Sequence, residues 1–293
     1  QKSVERTVAL KVFNKNYLGQ DAPASFIKQI QTIGRFQHQN ILSFFDGGTF
    51  ENSCYISMLY VPEGTFANKV ANSFPLSELF ITTTITKIAE ALKYALDEHG
   101  TIHLDINPKS ILFTDSDEPV ISDLGLSAWL TWSYQLNRKN FMGNPVYMSP
   151  EQALDQSLDW KADQYSLGIT MFEAFAGFPP FKADNAYNLI NKHKNEPIVF
   201  PKHSNISQAT KNAILKMTAK KPVDRFSSWE QFINAIKGNA TQPKLVSTQS
   251  QQLPMKNKLS LSLKSPASKS QKILSLPSVN KKKYPVNLHS KNK

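Results

Sequence analysis

Cysteine is almost missing from this chain: Cys54 stands alone among 293 residues. No intrachain disulfide can form, and a reducing compartment is the expectation. Long apolar runs are missing too, since none approaches the roughly 18 residues that a membrane-spanning helix requires. The first residues lack a basic-then-apolar leader pattern. Together these absences predict a cytoplasmic protein without a transmembrane segment. The chain opens on Gln1 rather than Met, so upstream sequence is expected to have been removed or left out.

Acidic residues are absent from one whole region. Residues 241–293 carry 11 Lys and no Asp or Glu, whereas residues 1–240 balance 23 Lys and Arg against 23 Asp and Glu. The net charge of +11 therefore belongs to the tail. A neutral body argues against a nucleic-acid-binding domain, which would carry clustered Lys and Arg on one face. The tail is rich in Ser, Lys, Gln and Pro and poor in aromatics. Such a composition cannot bury enough apolar surface to offset the entropy of ordering it, so residues 239–293 are expected to be a disordered basic tail. Its polybasic run Lys281-Lys282-Lys283 suits an anionic lipid, nucleic acid or an acidic partner; the plainer reading is a solvated tail with no fixed partner.

What is present in the body has two textures. Thr7 to Phe13 alternates and is β-branched, which predicts a strand with Lys11 on one face. Asp21 and Pro23 open a helix with Phe26, Ile27, Ile30 and Ile33 at helical spacing. Strands follow at Ile41 to Phe45 and Cys54 to Val61, with a turn expected at Asp46-Gly47-Gly48. From Pro75 onward, Ile81, Ile85, Ile88, Leu92 and Leu96 mark a long amphipathic helix ending near Gly100. Short strands are expected at Ser110 to Phe113 and Val120 to Ile121, around the acidic turn Asp115-Ser116-Asp117, and helices at 160–175, 187–193, 208–217 and 229–236. The prediction is α+β: a small sheet-rich lobe over residues 1–61 and a larger helical lobe over 62–238.

Two carboxylates fall on loops flanking the predicted strand hairpin, Asp105 in His103-Leu104-Asp105-Ile106-Asn107-Pro108-Lys109-Ser110 and Asp123 in Asp123-Leu124-Gly125. One suits a base for a hydroxyl and the other a metal ligand. Lys11 upstream and Gly143-Asn144-Pro145-Val146-Tyr147-Met148-Ser149-Pro150-Glu151 downstream complete an order that resembles the protein-kinase signature set. The resemblance continues through Asp163 to Gly168, Gly177-Phe178-Pro179-Pro180-Phe181 and Asp224-Arg225-Phe226, spanning about residues 6–237. The chain thus resembles eukaryotic-like serine/threonine protein kinases.

That resemblance implies a bilobal kinase fold, ATP and Mg²⁺ as cofactors, and a protein substrate. It gives Lys11 to the α- and β-phosphates, Asp105 to the substrate hydroxyl and Asp123 to Mg²⁺. Met58 resembles the gatekeeper, and Leu59, Tyr60 and Val61 the hinge whose backbone meets adenine. Glu151 and Arg225 resemble the family's buried ion pair.

The pattern breaks at six places. Gln29 occupies the helix position of the Glu that partners Lys11, and no Glu lies between Glu5 and Glu51. Leu104 replaces an Arg that would dock a phosphorylated activation loop, for which Thr131, Ser133 and Tyr134 are the candidate sites. Asn107 replaces a Lys near the γ-phosphate, Ser110 replaces the Asn that ligates a second metal, and Asn144 replaces a Thr. Nothing before Val8 resembles a Gly-rich loop. A Ser hydroxyl is a weaker Mg²⁺ ligand, and a neutral amide bonds a lysine about half as strongly as a carboxylate does. If the site is an attenuated kinase, restoring Glu at position 29 is expected to strengthen ATP binding or turnover about tenfold, ~1.4 kcal/mol, whereas in a pseudokinase the added charge is expected to change little. Two functions remain open: an attenuated serine/threonine kinase, or a pseudokinase that uses the fold for binding or scaffolding.

Overall fold

The strand alternation of the first lobe decides where Lys11 points. In the computed structural model, which describes residues 5–14, 22–51, 53–127, 129–130, 144–202 and 206–240, three antiparallel strands β1 (Val8–Asn14), β2 (Phe44–Phe50) and β3 (Ser53–Leu59) lie in the order β1-β3-β2. Lys11 is paired with Ile56. With a period of two, Ala9, Lys11 and Phe13 share one face of β1 and are partly covered, while Leu10 and Val12 are exposed. Against the covered face packs α1 (Ala22–Ile33), whose Phe26, Ile30 and Ile33 join Cys54, Ile56 and Met58 of β3 in one apolar cluster.

The turn expected at Asp46-Gly47-Gly48 is instead the middle of β2, paired with Ser57, Ile56 and Tyr55. The glycines serve close approach. A methyl at Gly47 would fall 3.1 Å from Tyr55 O and 3.3 Å from Ile30 Cδ1. The chain reverses later, where Glu51 has φ 47°. Ile41 to Ser43 lies outside the strand, with Ile41 bridged to Ile121 in parallel.

The second lobe begins with α2 (Phe66–Ser73), which periodicity did not reveal; Thr65 and Asn68 close a capping box and only Phe66 and Val70 are buried. The long helix α3 (Glu78–His99) starts at the Ser77 cap and stops at Gly100, whose φ of 59° ends it in the left-handed conformation. Its buried Ile81, Ile85, Ile88 and Leu92 contribute roughly 1.5–3 kcal/mol each by leaving water. A hairpin of β4 (Ile111–Phe113) and β5 (Pro119–Ile121) follows, then α4 (Pro150–Ala153), α5 (Trp160–Ala176), α6 (Ala186–Asn195), α7 (Gln208–Met217), a 3₁₀ turn (Pro222–Asp224) and α8 (Trp229–Ala240). α5 is apolar and buried on nearly every side, so it forms the axis of this lobe.

Arg225 ties the lobe's late segments together. Its guanidinium donates to both Glu151 oxygens (2.6 and 2.8 Å) and to the carbonyls of Ala219 and Lys161, with both side chains almost fully buried. The expected ion pair is therefore formed. α8 runs past the boundary expected at residue 238, and the tail beyond Ala240 lies outside the described residues, as do Thr131, Ser133 and Tyr134. No helix among the described residues is long and apolar enough to cross a membrane.

Candidate active site

Asp163, in the first turn of α5, is fully buried and accepts from the backbone N–H of His103 (2.7 Å) and of Leu104 (2.6 Å). These bonds hold Leu104 at φ 67°, a left-handed conformation that a branched side chain resists. The Leu104 carbonyl accepts from Gln152 Nε2 (2.9 Å), and its side chain is buried. Leu104 is thus an anchor of the loop's backbone, with no charge to offer a phosphate.

His103 joins this loop to the next. Its Nδ1 accepts from the Asp105 N–H (3.2 Å), so the ring proton sits on Nε2, which donates to Ser122 O (2.8 Å). The loop carrying Asp105 and the strand end leading to Asp123 are thereby fixed to one another. Burial raises the Asp105 carboxyl above the ordinary aspartate range, and the neighbouring Asp123 charge adds to the effect. Asn144 N–H meets Asp105 Oδ1 at 3.4 Å, and the Asn144 side chain turns back to accept from Val146 N–H (3.1 Å).

Asn107 and Ser110, two of the departures, bond to each other. Ser110 Oγ donates to Asn107 O (2.9 Å) and accepts from Asn107 N–H (3.1 Å). Asn107 Nδ2 donates to Asp105 O (2.9 Å), and its Oδ1 accepts from Lys109 N–H (2.9 Å). Both side chains are buried and spent on closing the loop. The hydroxyl expected to reach a second metal is committed to the loop's own backbone.

Lys11 Nζ stands 2.7 Å from Asp123 Oδ1, with the carboxylate's other oxygen within 3.3 Å of Ser122 Oγ. Asp123 has φ 62°. Gln29 makes no hydrogen bond to Lys11 among the described residues. It lies against the next loop instead: a methyl at Gly125 would fall 2.6 Å from Gln29 Nε2. The amide expected to accept from Lys11 is thus turned elsewhere, because Asp123 offers the ammonium a charged acceptor.

At the expected hinge, Met58 is buried, Leu59 and Tyr60 are exposed, and Leu59 N–H donates to Ser43 O (2.9 Å). Met58 walls a small apolar pocket with Ile33, Phe36, Ile56, Leu124 and Asp123. Sequence reasoning gave no role to Ser122, Gln152 or the Asp163 carboxylate. Asp163 stood in a recognised motif, but its two backbone bonds are visible only in three dimensions.

No cluster of three His, Cys, Asp or Glu side chains able to cage a metal exists among the described residues. Mg²⁺ characteristically binds through one or two carboxylates together with substrate phosphates. The single carboxylate of Asp123, facing a lysine and flanked by a second aspartate, fits a cation that arrives with a polyphosphate.

The chain is 30% identical over 235 residues to the probable serine/threonine-protein kinase PknB of Lactococcus lactis, covering 79% of this chain and 37% of that protein. It is 31% identical over 249 residues to the serine/threonine-protein kinase pkn3 of Myxococcus xanthus, covering 79% and 45%. It is 29% identical over 237 residues to the serine/threonine-protein kinase PrkC of Bacillus subtilis, covering 80% and 36%. The chain thus spans less than half the length of these curated relatives. A family model described as the protein kinase domain matches residues 1–236, and with the two-lobed α+β fold and the Lys11, Asp105 and Asp123 loops in family order, the chain belongs to the protein kinase family.

Proposed function

We propose that this chain transfers the γ-phosphoryl group of ATP, as its Mg²⁺ complex, to Ser or Thr hydroxyls of a protein, at a reduced rate. The observation that carries the reading is the convergence of Lys11, Asp123 and Asp105 on one site, joined through His103. Lys11 and Asp123 are matched for a polyphosphate and its cation: the ammonium would leave the carboxylate for phosphate oxygens, and the carboxylate would take the metal. Bound Mg·ATP would supply the phosphoryl group and offset charge on the departing diphosphate. Asp105 accepts the proton of the attacking hydroxyl, and burial makes it a stronger base than an exposed aspartate. Leu59 to Val61 would border the adenine, with Met58 behind it.

Attenuation follows from the groups that are spent. With Ser110 Oγ and Asn107 closing their own loop, and Gln29 away from Lys11, Asp123 is left as the charged metal ligand and Lys11 as the cation for the phosphates among the described residues named for the site. Removal of one preorganised charge-stabilising donor slows catalysis about 10²–10³-fold at oxyanion sites, and by analogy a loss of that order is expected here. The same commitment of Ser110 favours a second reading, a pseudokinase that binds protein partners without turnover. Incubation of the full chain with Mg·ATP and a mixed protein substrate, followed by mass spectrometry, decides between them. Phosphoserine or phosphothreonine formed by the wild type and not by Asp123→Ala supports transfer; equal phosphate in both excludes it.

A further inference from the structure

The residues just after Asp123 do more than connect. Leu126 N–H donates to Asp123 O (3.0 Å) and Trp129 N–H to Gly125 O (3.2 Å), so two backbone bonds tie Leu126 and Trp129 to the loop that carries Asp123. That indole is 5% exposed and lies in the core of the first lobe. Its ring centroid is 4.9 Å from Phe26 of α1 and 5.9 Å from Phe13 of β1. Its Nε1–H donates to Ser25 Oγ (2.9 Å), which satisfies the one polar atom that such burial would strand.

Three contacts therefore dock one short segment onto the first lobe: Asp123 on Lys11, Gly125 on Gln29, and Trp129 on the Ser25, Phe26 and Phe13 group. In this arrangement the cation and the carboxylate meant for phosphate and metal neutralise each other, and α1 is tied to the loop by the indole. We propose that Trp129 is a latch that holds the site in a self-neutralised resting state, in which Mg-nucleotide binds only after the latch is released. This rests on the reading of Lys11 and Asp123 as the nucleotide site, not on turnover. A ligand that selects a minor released state binds with an affinity lowered by the fraction of molecules released. Whatever weakens the latch should then raise the apparent affinity while lowering the stability of the free protein. A tryptophan that served only the core would lose both together.

The test is titration calorimetry of the full chain with a non-hydrolysable ATP analogue plus Mg²⁺, and thermal melts without ligand, on wild type, Trp129→Ala and Trp129→Phe. Phe keeps an aromatic ring in the core and loses the bond to Ser25, so it reports even where Ala fails to fold. The latch predicts a lower Tm with a Kd tighter by about fivefold or more in Trp129→Ala, and a smaller change of the same sign in Trp129→Phe. An unchanged or weaker Kd in the folded variants would overturn it. Because the readout is binding, absence of phosphoryl transfer in the wild type would sink the proposed activity and leave the latch standing, whereas a weaker Kd in an active enzyme would do the reverse.

Discussion

Gln29 rests on Gly125: a methyl group at that glycine would fall 2.6 Å from Gln29 Nε2. The helix side chain expected to meet Lys11 instead packs against the loop that carries Asp123. Lys11 turns to Asp123 at 2.7 Å.

For this reason Gln29→Glu in the wild-type chain should change nucleotide affinity by less than about twofold, short of the roughly tenfold gain that sequence alone suggests. The added charge would sit beside the loop rather than on the ammonium. Calorimetry on Gln29→Glu, alone and combined with Trp129→Phe, checks this. A tenfold gain in the single variant would mean that α1 already brings position 29 to Lys11.

Gly125→Ala tests the same contact from the other side. At φ 81° any side chain is strained, by about 1–2 kcal/mol, before it meets Gln29. Thermal or urea unfolding should show a loss of that size. Combining Gly125→Ala with Gln29→Ala should recover only the part due to the collision, since the backbone strain stays.

Most of the frame was legible in the sequence. Apolar spacing from Ile81 to Leu92 and the stop at Gly100 fixed α3, and the order of Lys11, Asp105, Asp123 and Glu151 fixed the family. Gly47 and Gly48 misled because glycine marks close approach as well as turning, and here Tyr55 and Ile30 crowd them. α2 escaped because eight residues with two buried positions carry too little periodicity. At the site, residue types were readable but commitments were not. That Ser110 Oγ closes onto Asn107, and that Trp129 enters the core, depends on side-chain directions that no linear pattern encodes.

Asp105→Asn should stabilise the protein at neutral pH. Burial raises the folded-state pKa of this carboxyl, so the folded chain holds its proton to higher pH than the unfolded chain does. Stability attributable to Asp105 therefore falls as pH climbs from the unfolded value through the raised one, and the neutral amide escapes that loss. Melts across pH should show a Tm gain for Asp105→Asn near pH 7 that shrinks toward acid. A gain that grows on acidification would contradict the burial argument.

Glu151→Ala should cost about 3–5 kcal/mol, because it leaves the buried Arg225 guanidinium without its charged partner. The double variant Glu151→Leu with Arg225→Met should cost less than either single change, since it removes both charges. Urea denaturation of the wild type, Glu151→Leu, Arg225→Met and the double variant measures the coupling. Additive losses would show that the pair is not linked energetically.

The most direct test of the account is transfer of radiolabelled γ-phosphate from Mg·ATP to a basic Ser- and Thr-containing protein by the full chain, run beside Asp105→Asn and Lys11→Met. The account predicts slow, Mg²⁺-dependent labelling by the wild type, reduced at least about 10²-fold in each variant. Labelling that survives Asp105→Asn undiminished, or no wild-type labelling above that variant, would contradict it.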